Sequence, residues 1–379
     1  MFKSRSSLLA VLFALVVLCL AVAEAAPQRN GNGNGNGNGN GNGNGNGNGN
    51  GNRNGNGNGN GNGRGNKGGN KGGNKQTAQQ KAAQKPQGIS TAKDGSATLD
   101  MTVDINGLPI RFKVSAPADQ FTEASGVQGA QAAPNTAGPI GMNVLLHGDG
   151  GQSFFDFPNQ GVNSNLMGVA VLAPDKDLKW GSADRNGVQR PNGAAHSAAV
   201  NQLITQELPK MVAFNQSNVF FTGVSGGSLT LAGFFMPQFM GNFPNAGVLL
   251  SCGGLKPQVP FTQESSAALA NTRIHFQSTQ QELSSLQKLI PETVKAYEQA
   301  GKDAGLDNNQ INQLQTVDNT PNGGHCAFDE KGFVSGVQRI SDSFSNIMLA
   351  GGNGQVQGIG NVLNGVVGNE NLQFAQGRN

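Results

Sequence analysis

The chain has 379 residues, of which 58 are glycine, and a formal net charge of +3. Residues 31–73 hold 21 of these glycines in a nearly unbroken Gly-Asn repeat; such a repeat buries too little apolar surface to offset the entropy of ordering it, which excludes a compact fold over the whole length. Residues 27–93 carry nine Lys or Arg and no Asp or Glu, whereas residues 94–379 carry 15 Lys or Arg and 22 Asp or Glu, so the long body is acidic and specific nucleic-acid binding by it is disfavoured.

The first 25 residues are typical of a secretory signal peptide. Lys3 and Arg5 precede an apolar stretch over 8–22, and Ala-Glu-Ala at 23–25 is a small-residue cleavage site. The stretch is short for a membrane anchor, and no later segment approaches the roughly 18 apolar residues of a spanning helix. We therefore expect a secreted, extracellular protein with no membrane span.

The basic region, residues 26–93, is predicted to be disordered. After the Gly-Asn repeat, residues 64–87 form a Lys/Gln/Ala/Gly linker without apolar periodicity, which is typical of a flexible, extended segment. A spacer is the simplest interpretation of this arm. A weak polyanion-binding arm and an adhesive contact with the cell wall are the alternatives.

The use of cysteine fits an oxidising compartment. Removal of the leader removes Cys19 and leaves Cys252 and Cys326, which predict one disulfide; two free buried thiols are the alternative. Asn-Gln-Ser at 215–217 is an acceptor sequence for N-glycosylation at Asn215, placed in a turn just before a predicted strand.

Residues 94–350 carry the pattern of one large α/β domain. Runs at 97–105 and 108–114 alternate apolar and polar residues around Asn106-Gly107, which predicts a β-hairpin. Continuous apolar runs, typical of strands buried on both faces of a parallel sheet, follow at 142–146, 169–173, 219–221 and 247–250. Further strands are predicted at 273–278 and 311–317, and helices at 194–212, 228–240, 283–300 and 332–349.

This succession predicts a mostly parallel central sheet flanked by helices. From residue 351 to 379 the chain is again rich in Gly, Asn and Gln, and we expect a poorly ordered C-terminal tail.

The sequence Gly-Val-Ser-Gly-Gly at 223–227 matches the pattern G-x-S-x-G. Because 36 of the 286 residues from 94 onward are glycine, the pattern alone arises about 0.3 times by chance. Its context is more informative, since it follows the strand at 219–221 and begins a helical stretch, the strand–turn–helix setting of a nucleophile elbow. Flanking glycines let the backbone turn sharply and expose the Ser225 hydroxyl. The alternative is an inert serine in a glycine-rich turn.

A serine nucleophile needs a base and a group that orients the base. His325 follows the last predicted strand on a Gly-Gly-His-Cys loop. Glu282 is the only carboxylate between 273 and 291, and it completes the order Ser, acid, His that is found in α/β-hydrolases. Asp303 and Asp318 also precede His325 and are alternative acids. The other histidines are interpreted as a packed strand residue, a helix start and a strand end: His275, His196 and His147.

An oxyanion site is predicted where the strand 142–146 ends in His-Gly-Asp-Gly-Gly. A glycine-rich turn there leaves backbone N–H groups free to face a developing oxyanion. The candidates are the amides of Asp149 or Gly150, together with Gly226 after the nucleophile. A carboxylate at 149 that faced the oxyanion would oppose catalysis.

With these motifs, residues of about 95–350 resemble secreted α/β-hydrolase-fold serine esterases, most closely the polyhydroxybutyrate-depolymerase and feruloyl-esterase type group. That group similarly carries an H-G turn, a G-x-S-x-G elbow and a late G-G-H loop. The resemblance implies an α/β-hydrolase fold, with Ser225 as nucleophile, His325 as base and Glu282 as acid. This chain departs from the pattern at Asp149, where a small residue is common, and at Glu282, where Asp is commoner.

The predicted function is a secreted serine esterase that acts on ester substrates, including polymeric ones, with no cofactor. No His, Cys and carboxylate cluster has the spacing of a metal site. A catalytically degenerate binding protein of the cell wall or surface, and a serine peptidase on the same fold, are the alternatives. The Cys252–Cys326 bridge is expected to fix the His325 loop, and Trp180 is expected either to line the substrate cleft or to pack under a lid.

Overall fold

The computed structural model describes residues 76–375. The predicted signal peptide and the Gly-Asn repeat lie outside the described residues. Within those residues, no helix combines the length and the apolar character that crossing a membrane requires.

A mixed sheet of eleven strands forms the centre of the domain. The strands are β1 (Gly88–Thr91), β2 (Ala97–Ile105), β3 (Leu108–Ala116), β4 (Gly141–Leu146), β5 (Val162–Asn163), β6 (Leu166–Leu172), β7 (Val219–Val224), β8 (Gly247–Ser251), β9 (Arg273–Gln277), β10 (Gln315–Asp318) and β13 (Asn364–Gly365). Their spatial order is β1-β2-β3-β6-β4-β7-β8-β9-β10-β13, with β5 paired to β6. Neighbouring strands from β6 to β10 are parallel, whereas β1, β2 and β3 join antiparallel at one edge and β13 at the other. A separate pair, β11 (Gln355–Val356) and β12 (Gly360–Asn361), lies nearer the C-terminus.

The burial of the strands explains their sequence pattern. Strands β4, β6, β7 and β8 are buried along their whole length, as continuous apolar runs require. Successive side chains point to opposite faces of the sheet, so Phe221 joins one apolar core and Phe220 the other. The hairpin predicted around Asn106-Gly107 is confirmed, because both residues have positive φ and Ile105 pairs with Leu108.

Helices cover both faces of the sheet. They are α1 (Ala78–Ala83), α2 (Gln152–Asp156), α3 (Gly193–Gln202), α4 (Leu208–Met211), α5 (Gly226–Thr230), α6 (Met236–Phe239), α7 (Gln263–Ala268), α8 (Ser284–Asp303), α9 (Asn308–Leu314), α10 (Phe333–Asp342) and α11 (Phe344–Met348). A π-helical turn joins α3 to α4 and another joins α5 to α6. Pro209 and Pro237 follow these turns, and a proline, which has no N–H, cannot continue the regular hydrogen-bond ladder.

This architecture is the α/β-hydrolase fold that the sequence predicts: a mostly parallel central sheet, flanked by helices, with an antiparallel opening. The chain goes from β4 to β6 on one side and then crosses to β7 on the other side of β4. In open α/β sheets, a crevice for ligands lies outside the carboxyl ends of the strands at such a reversal.

The strand predicted at 311–317 is wrong in its first part. Residues Asn308–Leu314 form α9, and β10 occupies only Gln315–Asp318. Asp307 caps this helix in a reciprocal box with Gln310, a local signal for helix that the apolar spacing of the segment did not reveal. The predicted helix at 332–349 is interrupted at Ser343, between α10 and α11.

Both borders of the domain lie further out than the composition predicts. Residues 76–93, assigned to the disordered linker, contain α1 and β1. Arg111 donates hydrogen bonds to the carbonyls of Ala82 (2.7 Å) and Pro86 (3.2 Å) and so ties this segment to β3.

The C-terminal segment is also ordered through residue 375, so the prediction of a poorly ordered tail is wrong over 351–375. Strand β13 pairs with β10 at the edge of the sheet. Val356, Val362 and Val366 are buried in the apolar cores. These three valines bury enough apolar surface to hold the segment against the domain, although its overall composition is rich in glycine and asparagine.

Candidate active site

The candidate site lies at the topological reversal beside β4. The turn 147–151 follows β4, and Ser225 follows β7, the adjacent strand. Both therefore stand at the carboxyl edge of the sheet, where this class of fold binds ligands.

The backbone at Ser225 has the geometry of a nucleophile elbow. Ser225 has φ 49° and ψ −113°, a strained conformation for a residue with a side chain. A Cβ at Gly223 would lie 2.6 Å from the Cα of Ser228, and a Cβ at Gly227 would overlap the carbonyl oxygen of Leu146. The glycines of the G-x-S-x-G pattern are therefore required by close backbone approach on both sides of the serine.

Ser225, His325 and Glu282 form a continuous hydrogen-bonded chain. The Oγ of Ser225 lies 2.9 Å from Nε2 of His325, and Nδ1 of His325 lies 2.5 Å from Oε1 of Glu282. The same Glu282 oxygen accepts a hydrogen bond from the backbone N–H of Leu283 at 2.7 Å. Since a carboxylate only accepts, Nδ1 of His325 carries the proton and Nε2 is free to accept from the serine hydroxyl.

The three side chains differ in their access to solvent. The Glu282 side chain is fully buried, whereas that of His325 is 21% exposed. Ser225 is half-buried. The carboxylate is thus shielded from solvent, while the imidazole and the hydroxyl remain partly accessible.

The alternative acids do not contact the histidine. Asp303 is exposed at the end of α8, and its Oδ1 accepts from Gln299. Asp318 is buried, but its Oδ2 accepts from Gln277 at 2.6 Å. In the structure, Glu282 is therefore the carboxylate that His325 contacts.

The two candidate oxyanion donors in the turn after β4 differ in their hydrogen bonding. Of the two alternatives predicted, Gly150 already donates its N–H to the carbonyl of Leu178, at 2.9 Å. The N–H of Asp149 makes no hydrogen bond among residues 76–375. Gly226 is the first residue of α5, and the N–H of a first helical residue has no acceptor within its helix.

His147 fixes the orientation of this turn. Its Nδ1 donates to the carbonyl of Gly148 at 2.6 Å, and its Nε2 accepts from the N–H of Ala173 at 2.9 Å. Burial lowers the pKa of His147 to about 4, so the ring is neutral at neutral pH and Nε2 is free to accept. In a trans peptide the N–H points opposite to the C=O, so the N–H of Asp149 points away from His147.

The Asp149 side chain forms a salt bridge that the sequence did not predict. Both of its carboxylate oxygens accept from the guanidinium of Arg190, at 3.2 and 3.0 Å. Arg190 lies in the loop before α3 and is almost completely buried. Because 41 residues separate the partners and no motif contains the arginine, the sequence held no signal for this pair.

The predicted disulfide is present, between Cys252 after β8 and Cys326 beside His325. It joins two loops at the carboxyl edge of the sheet across a separation of 74 residues. Cys252, His325 and Cys326 are the one group of potential metal ligands in the described part of the chain. Sulfur atoms joined in a disulfide provide no thiolate, which is the form of cysteine that binds metals.

Trp180 packs behind the turn and does not line a cleft. Its side chain is fully buried, and its ring centroid lies 5.4 Å from that of His147 and 6.2 Å from that of His196. Of the two roles expected for Trp180, the structure therefore shows packing and not the lining of a cleft. His275 is also buried, beside Thr316 and Gln277, as predicted for a packed strand residue.

Asn215 lies in the turn before β7, at the end of that strand away from Ser225. Its side chain is partly exposed and accepts from the N–H of Ser217 at 3.0 Å. The position fits the predicted turn, and glycosylation there stays a prediction.

Comparison with known proteins gives partial structural similarity. No protein-family model matches the chain, and no curated protein matches its sequence. A thermostable esterase is 15% identical with a TM-score of 0.42, over 65% of this chain and 60% of that chain. Acyl-protein thioesterase 2 of Zea mays is 13% identical with a TM-score of 0.39, over 55% and 95%. A cold-adapted esterase from an Arctic intertidal metagenomic library is 12% identical with a TM-score of 0.36, over 69% and 97%.

Proposed function

We propose that the protein is a serine hydrolase that cleaves carboxylic esters through an acyl-enzyme. The observation that carries this proposal is the hydrogen-bonded chain from Ser225 through His325 to Glu282, at 2.9 and 2.5 Å. A hydroxyl, a base and an orienting carboxylate in this sequence of contacts form the general device for activating a serine.

The reaction follows from the positions of these groups. His325 Nε2 takes the proton of Ser225 as Oγ attacks the ester carbonyl carbon, and the buried Glu282 stabilises the imidazolium that forms. The N–H groups of Asp149 and Gly226 donate to the tetrahedral oxyanion. His325 then protonates the departing alkoxide, so the alcohol leaves and an acyl-Ser225 ester remains.

Water completes the cycle by the same steps. His325 takes a proton from the water that attacks the acyl-enzyme, and a second tetrahedral oxyanion forms against the same two N–H groups. Collapse of this intermediate returns the proton to Ser225 Oγ and releases the carboxylic acid.

The surface beside the triad supports an ester with apolar parts. Phe333 is half-buried, and its ring centroid lies 6.0 Å from that of His325. The same ring reaches the turn after β4, where its Cζ would lie 3.5 Å from a Cβ on Gly148. An aromatic face between the base and this turn favours binding of apolar groups, as in hydroxyalkanoate or aromatic-acid esters, including polymeric ones.

We also propose that the protein is secreted. Support comes from the leader sequence and from the Cys252–Cys326 bridge, since disulfides persist in oxidising compartments. In this proposal the basic Gly-Asn arm serves as a spacer or contacts polyanions or the cell wall.

A fluorophosphonate probe tests the proposed chemistry. The wild type should be labelled stoichiometrically, Ser225→Ala should not be labelled, and Ser228→Ala, a buried serine whose Oγ donates to the Ser251 carbonyl, should keep its labelling. Absence of labelling in the wild type would refute the proposal that the protein is a serine hydrolase. Labelling that persists in Ser225→Ala would refute the assignment of Ser225 as the nucleophile. Matched ester and anilide substrates then separate esterase from peptidase activity.

A further inference from the structure

We propose that Arg190 is a positioning residue for the oxyanion site: it holds the carboxylate of Asp149 in place and neutralises its charge beside the two donor N–H groups. This inference rests on the proposed function, and it explains how a carboxylate is tolerated in a turn where the related esterases often carry a small residue.

The contact between the two side chains is bidentate. Nη1 and Nη2 of Arg190 donate to Oδ1 and Oδ2 of Asp149 at 3.2 and 3.0 Å. Paired N–H···O bonds between a guanidinium and a carboxylate fix orientation as well as distance. The backbone of Asp149 therefore has one additional anchor, through its own side chain, at the residue whose N–H is proposed to donate to the oxyanion.

Arg190 is itself held by the backbone. Nη1 also donates to the carbonyl of Trp180 at 2.5 Å, and Nη2 to the carbonyl of Gly187 at 3.0 Å. The guanidinium is almost completely buried, whereas the Asp149 side chain is 23% exposed. The anchor is thus a fixed, poorly hydrated cation, whose field is screened less by solvent than that of an exposed side chain.

The carboxylate needs a counter-charge because of where it lies. A Cβ built on Gly226 would overlap Oδ1 of Asp149, so the carboxylate lies directly against the residue that provides the second N–H donor. On the other side, a Cβ on Gly148 would lie 3.3 Å from Cβ of Ser225. An unpaired negative charge at this position would repel the oxyanion, which develops only in the transition state.

The loss of Arg190 should therefore lower the rate of the chemical step and leave ground-state binding nearly unchanged. In Arg190→Gln we expect kcat to fall about 100-fold, comparable to the loss of one oxyanion donor, with KM within about threefold of the wild-type value. The inhibition constant of a trifluoromethyl ketone, which binds as a tetrahedral oxyanion adduct, should rise in parallel with the loss in kcat.

A second charge change distinguishes this role from a merely structural one. In Asp149→Asn/Arg190→Gln the negative charge is absent, and kcat should recover at least about tenfold relative to Arg190→Gln, since repulsion of the oxyanion is removed. Arg190→Lys keeps the charge without the bidentate geometry and should lie between the wild type and Arg190→Gln. Arg185→Gln, an exposed arginine of the same loop, is the matched control and should keep wild-type kinetics.

The outcomes separate this inference from the proposed function. An active wild type with Arg190→Gln inside threefold of its kcat, or a double variant no faster than Arg190→Gln, would overturn the role of Arg190 and leave the triad intact. A wild type that turns over no ester and takes up no fluorophosphonate would remove both proposals. Should Arg190→Gln fail to fold by circular dichroism, Arg190→Lys decides: a kcat below the wild-type value, with the inhibition constant of the trifluoromethyl ketone raised in parallel, supports the inference, and a kcat equal to that of the wild type refutes it.

Discussion

Glu282→Gln tests the identity of the acid by removing one charge at nearly constant shape. Oε1 of Glu282 accepts from both His325 Nδ1 and the N–H of Leu283, whereas Oε2 is buried without a partner in the described residues. In the glutamine variant, the Leu283 N–H favours the amide oxygen in the position of Oε1. The orientation of the His325 ring is then retained, and the charge that stabilises the imidazolium is lost.

The magnitude follows from the geometry of the pair. With Nδ1 and Oε1 2.5 Å apart, the centres of the imidazolium and carboxylate charges are separated by roughly 4 Å, which at an effective dielectric constant of about 20 corresponds to about 4 kcal/mol. This attraction acts on the imidazolium that forms as His325 takes the proton of Ser225, so its loss raises the barrier of the chemical step. We therefore expect kcat/KM to fall by about 10³, since each 1.36 kcal/mol is a factor of ten.

The assay compares kcat/KM for an activated ester, and the rate of fluorophosphonate labelling, in the wild type and three carboxamide variants. Both rates should fall by a similar factor in Glu282→Gln, because both reactions need the same activation of Ser225. Asp318→Asn and Asp303→Asn carry the same chemical change at the two alternative acids, and both should retain activity within about threefold.

Two results would refute this reasoning. Activity in Glu282→Gln within tenfold of the wild type would show that the buried carboxylate does not stabilise the imidazolium. A fall in kcat/KM in Asp318→Asn as large as that in Glu282→Gln, with the fold intact by circular dichroism, would indicate that Asp318 takes part in catalysis.

Two further predictions concern stability and the His325 loop. Replacing both Cys252 and Cys326 with Ala opens a loop of 74 residues and should lower the free energy of unfolding by about 4 kcal/mol. The value of kcat should fall as well, because the bridge is expected to fix the loop that carries His325. An unchanged urea midpoint would contradict the effect on stability. Burial lowers the pKa of His147, His196 and His275 to about 4, so between pH 6.5 and 4 the unfolded chain binds protons that the folded chain does not. The free energy of unfolding is therefore highest above pH 6.5 and falls as the pH drops toward 4, by up to about 4 kcal/mol per pH unit for three groups. Urea titrations at pH 7, 6 and 5 measure this fall, and coinciding midpoints would refute it. His275→Gln should reduce the slope of unfolding free energy against pH by about a third.

Local sequence signals predicted much of the fold and the centre of the site. The strand–turn–helix context identified Ser225, because an apolar run and the glycines around one serine are properties of a few consecutive residues. Glu282 and His325 were found through their order along the chain and their positions after strands. The Asn106-Gly107 hairpin and the buried parallel strands followed from periodicity in the same way.

Errors occurred where a long-range contact overrides local composition. Residues 351–375 contain many glycines and asparagines, but Val362 and Val366 reach the cores and β13 pairs with β10. The segment 311–317 has apolar residues that fit either a strand or a helix, and the Asp307 cap selects the helix for its first part.

By itself, the sequence determined which part of the chain can form a core, which class of fold its apolar pattern permits, and which serine stands in an elbow, because each is a local or compositional property. Only the tertiary structure decided which carboxylate contacts His325, which N–H groups of the turn lack a hydrogen bond in the described residues, and that Arg190 contacts Asp149. These depend on contacts between residues 43 and 41 positions apart and on hydrogen bonds such as that of Gly150 to Leu178. Such contacts are set when the loops after different strands meet at one edge of the sheet, and no spacing along the chain encodes them.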